Sequence, residues 1–137
     1  MAENYKQHLD TLIVATARQG ASDLHIAVGR RPTLRLDGVL IELQQEPIVT
    51  PEIAEGLIKT LLTPQQLARF EQERELDFSF THPEDNARFR ANVFYQRGYM
   101  AAALRLIPAN IRTIEELGLP AILHDFAKLS QGFVLLV

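Results

Sequence analysis

Cysteine is missing altogether from the 137 residues. That excludes disulfides, thiolate catalysis and cysteine-ligated metal, and it suits a reducing compartment. A basic excess is also missing: 14 Lys and Arg stand against 17 Asp and Glu, for a net charge of -3. Duplex-binding domains draw affinity from neutralising phosphates, so this balance argues against direct contact with nucleic acid. No apolar run approaches the roughly 18 residues that mark a membrane span. The opening Met1-Ala2-Glu3-Asn4-Tyr5-Lys6 has neither the basic nor the apolar region of a secretory signal. A soluble, cytoplasmic protein is the expectation.

Phosphate loops and metal motifs are lacking as well. The 7 glycines are scattered, and neither G-x-x-x-x-G-K-[ST] nor G-x-G-x-x-G occurs. His8, His25, His82 and His124 are dispersed without ligand spacing, and no acidic cluster accompanies them, so no metal site is expected. What is present is a 47% hydrophobic content on a chain of single-domain length, enough to build a core without staples.

The order of patterns predicts an α+β domain. Leu9, Leu12 and Ile13 recur at helical spacing between about Glu3 and Gln19, with Gly20 as a stop. Alternation then takes over in Asp23-Leu24-His25-Ile26, and again in two strands joined at Asp37-Gly38. Thr50-Pro51 and Thr63-Pro64-Gln65-Gln66 each place a capping threonine before a proline, opening two helices with Ile53, Leu57, Ile58, Leu61, Leu67 and Phe70 inward. Leu76, Phe78 and Phe80 share one face of a further strand. Thr113-Ile114-Glu115-Glu116 is a third capping signal, before short helical pieces up to Ala127. The apolar run Phe133-Val134-Leu135-Leu136-Val137 reads as a strand: an edge of this domain's own sheet, or the beginning of another domain.

A long hairpin from about Arg88 to Ile107 carries the sharpest signal. A turn centred between Arg97 and Gly98 sets Phe89 against Leu106, Ala91 against Leu104, Val93 against Ala102 and Tyr95 against Met100. That face suits a core. The same register puts Arg90 directly opposite Arg105 on the other face. Cross-strand like charges cost a few tenths to ~1 kcal/mol, so either neighbouring carboxylates or solvent relieve them, or they form an anion site suited to phosphate. Ser22, Asp23 and His25 suggest a catalytic group, but alternation turns Ser22 away from the other two, leaving a polar strand face with a local hydrogen bond.

Several segments together resemble a known family. They are Gln19-Gly20-Ala21-Ser22-Asp23-Leu24-His25, Asp37-Gly38, Asp77-Phe78-Ser79-Phe80, Ala87-Arg88-Phe89-Arg90-Ala91-Asn92, Ile107-Pro108, Thr113-Ile114-Glu115-Glu116-Leu117-Gly118-Leu119-Pro120 and Gly132 to Val137. In order, along nearly the whole chain, they are similar to the N-terminal domain of type IV pilus retraction ATPases, within the wider type II/IV secretion ATPase family. Ala91 replaces a more usual valine, and Tyr95-Gln96-Arg97 varies the hairpin tip. The family's Walker A, acidic, Walker B and histidine elements do not occur here.

The resemblance implies a PAS-like regulatory and oligomerisation domain over residues 1–108. Residues 109–137 would form an inter-domain connection and the first strand of an ATPase core. It implies a homohexameric motor for pilus retraction and twitching motility. Partners would be the ATPase core, neighbouring subunits and an inner-membrane pilus platform protein, the motor lying in the cytoplasm against that membrane. ATP and Mg²⁺ would belong to the full-length protein; these 137 residues would bind neither alone and would hydrolyse no ATP. Arg90 and Arg105 would reach the γ-phosphate on domain closure, and Arg112 and Thr113 would lie at the hinge, on the nucleotide side. The alternatives are the same domain of a pilus-assembly or type II secretion ATPase, and a free-standing PAS-like module that binds a small molecule. A start close to the first helix favours retraction over assembly or secretion.

Overall fold

In the computed structural model, residues 2–137 are described. The chain forms α1 (Ala2–Arg18), β1 (Asp23–Ile26), β2 (Thr33–Leu36), β3 (Val39–Glu42), α2 (Pro51–Leu61), α3 (Pro64–Glu73), β4 (Glu75–Thr81), β5 (Arg88–Gln96), β6 (Tyr99–Ile107) and α4 (Ile122–Ala127). The strands make one antiparallel sheet in the order β3-β2-β1-β6-β5-β4. This is the expected α+β arrangement of an N-terminal helix and a helix pair on a mainly antiparallel sheet. None of the described helices is long and apolar enough to cross a membrane.

Local chemistry explains most of the boundaries. α1 closes with the N–H of Gly20 on the Ala17 carbonyl and that of Ala21 on the Thr16 carbonyl, the paired bonds that satisfy a helix's last acceptors. Thr50 accepts the Ile53 N–H at 3.3 Å. Thr63 and Gln66 exchange bonds of 2.9 and 3.2 Å in a complete capping box. Losing such a cap costs ~1 kcal/mol. Both two-residue turns have φ positive throughout: Asp37 at 48° and Gly38 at 83°, Arg97 at 52° and Gly98 at 85°. That conformation matches the right-handed twist of the strands it joins and so sets their register.

The helices cover a single face of the sheet. Leu9, Leu12 and Ile13 of α1, Leu57 and Ile58 of α2, and Phe70 of α3 pack on Leu24, Leu34, Phe89, Val93 and Leu104. Each large apolar side chain buried this way contributes about 1.5–3 kcal/mol. Aromatic contacts tie α3 to the hairpin: Phe70 stacks on Tyr95 at 5.0 Å, and the Arg74 guanidinium lies 3.5 Å from the same ring's centre.

Residues beyond β6 add nothing to this core. Ile111 is 94% exposed and Phe133 87%, and α4 has no buried residue. The capping signal at Thr113 forms, with both of its bonds to Glu116, but it opens only a short turn that reverses at Gly118, where φ is 63°. The strand expected over Phe133–Val137 is not formed. A strand exists only where a neighbour takes up its backbone donors and acceptors, and this segment pairs with neither edge of the sheet.

Where α1 meets α2, the fit is tight. A Cβ on Gly56 would lie 2.4 Å from Cε2 of Tyr5, so Tyr5 occupies the space that any larger residue would need. Alanine is worth about 1 kcal/mol over glycine inside a helix, so the sign of Gly56→Ala depends on Tyr5. We expect Gly56→Ala to destabilise the wild-type chain in urea denaturation and to stabilise a Tyr5→Ala chain by ~1 kcal/mol. An equal gain in both backgrounds would show that the close approach carries no constraint.

Candidate functional site

The face of the sheet away from the helices carries the polar residues of each strand. The hairpin register is the expected one, with Phe89 opposite Leu106, Ala91 opposite Leu104, Val93 opposite Ala102, Tyr95 opposite Met100 and Arg90 opposite Arg105. Pairing of β1 with β6 then sets Asp23 beside Arg105, and pairing with β2 sets Asp23 beside Arg35. A single row therefore crosses four strands as Arg35, Asp23, Arg105, Arg90, and ends on β4 at Ser79.

The two hairpin arginines do not share one environment. Arg105 donates from Nε to Oδ1 of Asp23 at 2.9 Å. Arg90 is exposed and has no carboxylate within ion-pair distance among the described residues. Of the two kinds of relief the sequence left open, Arg105 has a carboxylate neighbour and Arg90 has solvent. The cause is strand order: β1 docks beside β6, bringing together two residues 82 positions apart.

Asp23 is itself buried, 5% exposed, and held by two hydrogen bonds and a further ion pair. The Ser22 hydroxyl donates to its Oδ2 at 2.7 Å, and Arg35 Nε lies 3.5 Å from the same oxygen. Burial pushes the Asp23 carboxyl up, but the hydrogen bonds from Ser22 and Arg105 and the positive charge of Arg105 outweigh it. The group is held below its ordinary value. Ser22 precedes β1 and is not bound by strand alternation, which is why it reaches Asp23. It makes no bond to His25, so no nucleophile–base chain forms.

His25 sits two residues along the same strand, with Nε2 buried and unbonded. Burial lowers its pKa most, Asp23 opposes this, and Arg35 and Arg105 lower it further. The other histidines pair with carboxylates away from the row: His8 with Glu46 at 2.6 Å, His82 with Asp85 at 2.8 Å, and His124 with Glu115. No group of three His, Asp or Glu among the described residues is arranged to hold a metal ion. Arg112 and Thr113 are exposed beyond β6, and no bond joins them to the arginine row.

Chemically, the row sets three guanidiniums against one carboxylate, a net-positive surface suited to an anion. Sequence reading found Arg90 and Arg105 but missed Asp23 and Arg35 as their neighbours. The one available signal was that Asp23 lies on the polar face of β1, with its partner strand undetermined.

The titrations yield a pH dependence. His25 has a lowered folded pKa, so below about pH 6.5 the unfolded chain takes up its proton first and stability falls. Urea denaturation at pH 7.5 and 5.5 should show a smaller acid loss in His25→Gln than in the wild type. An identical loss in the two chains would mean that His25 titrates normally in the fold.

No family model matches the chain. It is 36% identical over 124 residues to the type IV pilus retraction ATPase PilT of Pseudomonas aeruginosa, covering 90% of this chain and 36% of that protein. It is 32% identical to the type IV pilus ATPase PilU of the same organism, covering 93% of this chain and 33% of that protein. Its fold matches the crystal structure of the pilus retraction motor PilT with bound ADP, at a TM-score of 0.72 and 36% identity, over 83% of this chain and 33% of that one. The ATPase DotB of Legionella pneumophila shares the fold at a TM-score of 0.64 and 19% identity, over 88% of this chain and 34% of that one. The chain spans about a third of the length of these relatives. Over nine-tenths of its length in sequence, and in its fold, the chain is similar to the N-terminal domain of PilT-like ATPases.

Proposed function

We propose that this chain is the regulatory and oligomerisation domain of a homohexameric, ATP-driven motor for type IV pilus retraction. In that reading the motor works in the cytoplasm against the inner-membrane pilus platform. Arg90 and Arg105 meet the γ-phosphate of ATP when this domain closes on the ATPase core. One observation carries the assignment: Arg90 and Arg105 face each other on the uncovered side of the sheet, where a dianionic phosphate group relieves the repulsion between them. Planar guanidiniums suit phosphate oxygens, and charge stabilisation of this kind is the main protein contribution to phosphoryl transfer.

Residues 1–108 form the domain in this reading, and residues 109–137 lead into the ATPase core, with Arg112 and Thr113 at the hinge on the nucleotide side. The exposed apolar residues of that second stretch, Ile111, Phe133 and Leu136 among them, support it, because such residues are normally covered by a partner surface. The chain itself contributes positioned charge and leaves bond cleavage to the core.

Steady-state kinetics of the full-length motor test this. Arg90→Ala and Arg105→Ala should each lower kcat by about 10²-fold, the scale of losing one charge-stabilising donor. Affinity for ADP, which lacks the γ-phosphate, should stay as it was. Near-normal kcat in both variants overturns the assignment. The 137-residue chain alone should show no ATP hydrolysis above background, and measurable turnover by it would place a catalytic centre in this domain.

A further inference from the structure

Asp23 is a carboxylate buried on the face of the sheet that the helices leave uncovered, and the way it is held is asymmetric. Ser22 and Arg35 both approach Oδ2, at 2.7 and 3.5 Å. That leaves Oδ1 turned toward β6, where it accepts from Arg105 at 2.9 Å. Arg35 is anchored a second time, donating from Nη1 to the Gly38 carbonyl at 3.1 Å. The carboxylate plane is therefore fixed from the β2 side before Arg105 is considered.

Arg105 is gripped at Nε alone. Its Nη nitrogens make no hydrogen bond among the described residues, and its side chain is 73% exposed although the carboxylate holding it is buried. An arginine held at Nε keeps its two Nη groups, the fork that matches phosphate bidentately, free to face outward. Arg90, across the hairpin, has no such anchor.

We infer that Asp23 is a positioning residue for Arg105: it holds the guanidinium by Nε so that the Nη fork is presented to an incoming phosphoryl group. The negative charge of Asp23 also offsets the repulsion that Arg90 exerts on Arg105 across the hairpin. This rests on the reading of Arg105 as a γ-phosphate ligand, and it makes the two arginines unequal: one held ready, the other recruited by the phosphate itself.

Two measurements test it. In this chain, NMR of arginine side chains should show a slowly exchanging Nε–Hε for Arg105 that becomes exchangeable in Asp23→Asn. The His25 pKa, which Asp23 raises, should fall further in the same variant. An Arg105 Nε–Hε equally protected without the carboxylate overturns the inference.

In the full-length motor, Asp23→Asn should lower kcat by about 10-fold, as expected for a misplaced rather than missing group. It should cause no further loss in an Arg105→Ala background. Arg105→Lys should be as impaired as Arg105→Ala, because a compact ammonium cannot be held by Asp23 on one edge while presenting a planar two-donor fork to the phosphate on the other. If Asp23→Asn does not fold, Ser22→Ala, which frees Oδ2, should show the same dependence on Arg105 at a smaller amplitude. An Asp23→Asn loss that is equal with and without Arg105, or a normal kcat in Asp23→Asn beside an impaired Arg105→Ala, overturns the positioning role and leaves the γ-phosphate reading standing. A normal kcat in Arg105→Ala defeats that reading instead.

Discussion

A slip of β5 by one residue against β6 would turn Phe89, Ala91 and Val93 toward water and drive Arg90 beneath the helices. Register in this hairpin is therefore the constraint on which the remaining structure depends. It is enforced twice. The Arg97-Gly98 turn, with positive φ at both residues, permits only a two-residue connection, and the apolar side chains of β5 and β6 fill the space under α2 and α3. The cost of slipping includes exposing Phe89 and Val93, which are fully buried, and burying the Arg90 guanidinium without a partner. Core packing on one face thereby holds two like charges together on the other.

That arrangement stores repulsion, which the fold relieves only in part. β1 brings one carboxylate to the row, and Asp23 takes Arg35 on one side and Arg105 on the other. Arg90 is left to solvent. The resulting surface is positive and open, and it is built on central strands and not on loops. A rigid sheet is well suited to placing charge, because its strands are already ordered by the core beneath them. Folding energy spent on register thus fixes where these charges lie.

Much of the fold was legible because its signals are local. Thr50-Pro51 and Thr63-Pro64 announce helix starts through backbone donors that only a nearby side chain can satisfy. Asp37-Gly38 and Arg97-Gly98 announce turns because few residues tolerate their φ angles. The Arg90–Arg105 pairing was legible for the same reason: a hairpin's register follows from its turn and its alternation, both within a short stretch of chain. Phe133–Val137 shows the limit of such reasoning. Its composition favours a strand, but a strand is a relation between two segments, and composition cannot supply the second.

Asp23 marks the division most clearly. Its placement on the polar face of β1 follows from the alternation of Asp23-Leu24-His25-Ile26, and the sequence by itself determined that, together with the caps, the turns and the opposition of Arg90 and Arg105. Which strand lies beside β1 was settled only by the tertiary structure, where α1 and α2 draw β1 against β6 and close a contact over 82 positions. Local propensity acts over a few residues, whereas the choice among strand neighbours depends on how the whole apolar surface is buried at once. For that reason the charged pair could be read from the chain, and the carboxylate that tells its two arginines apart could not.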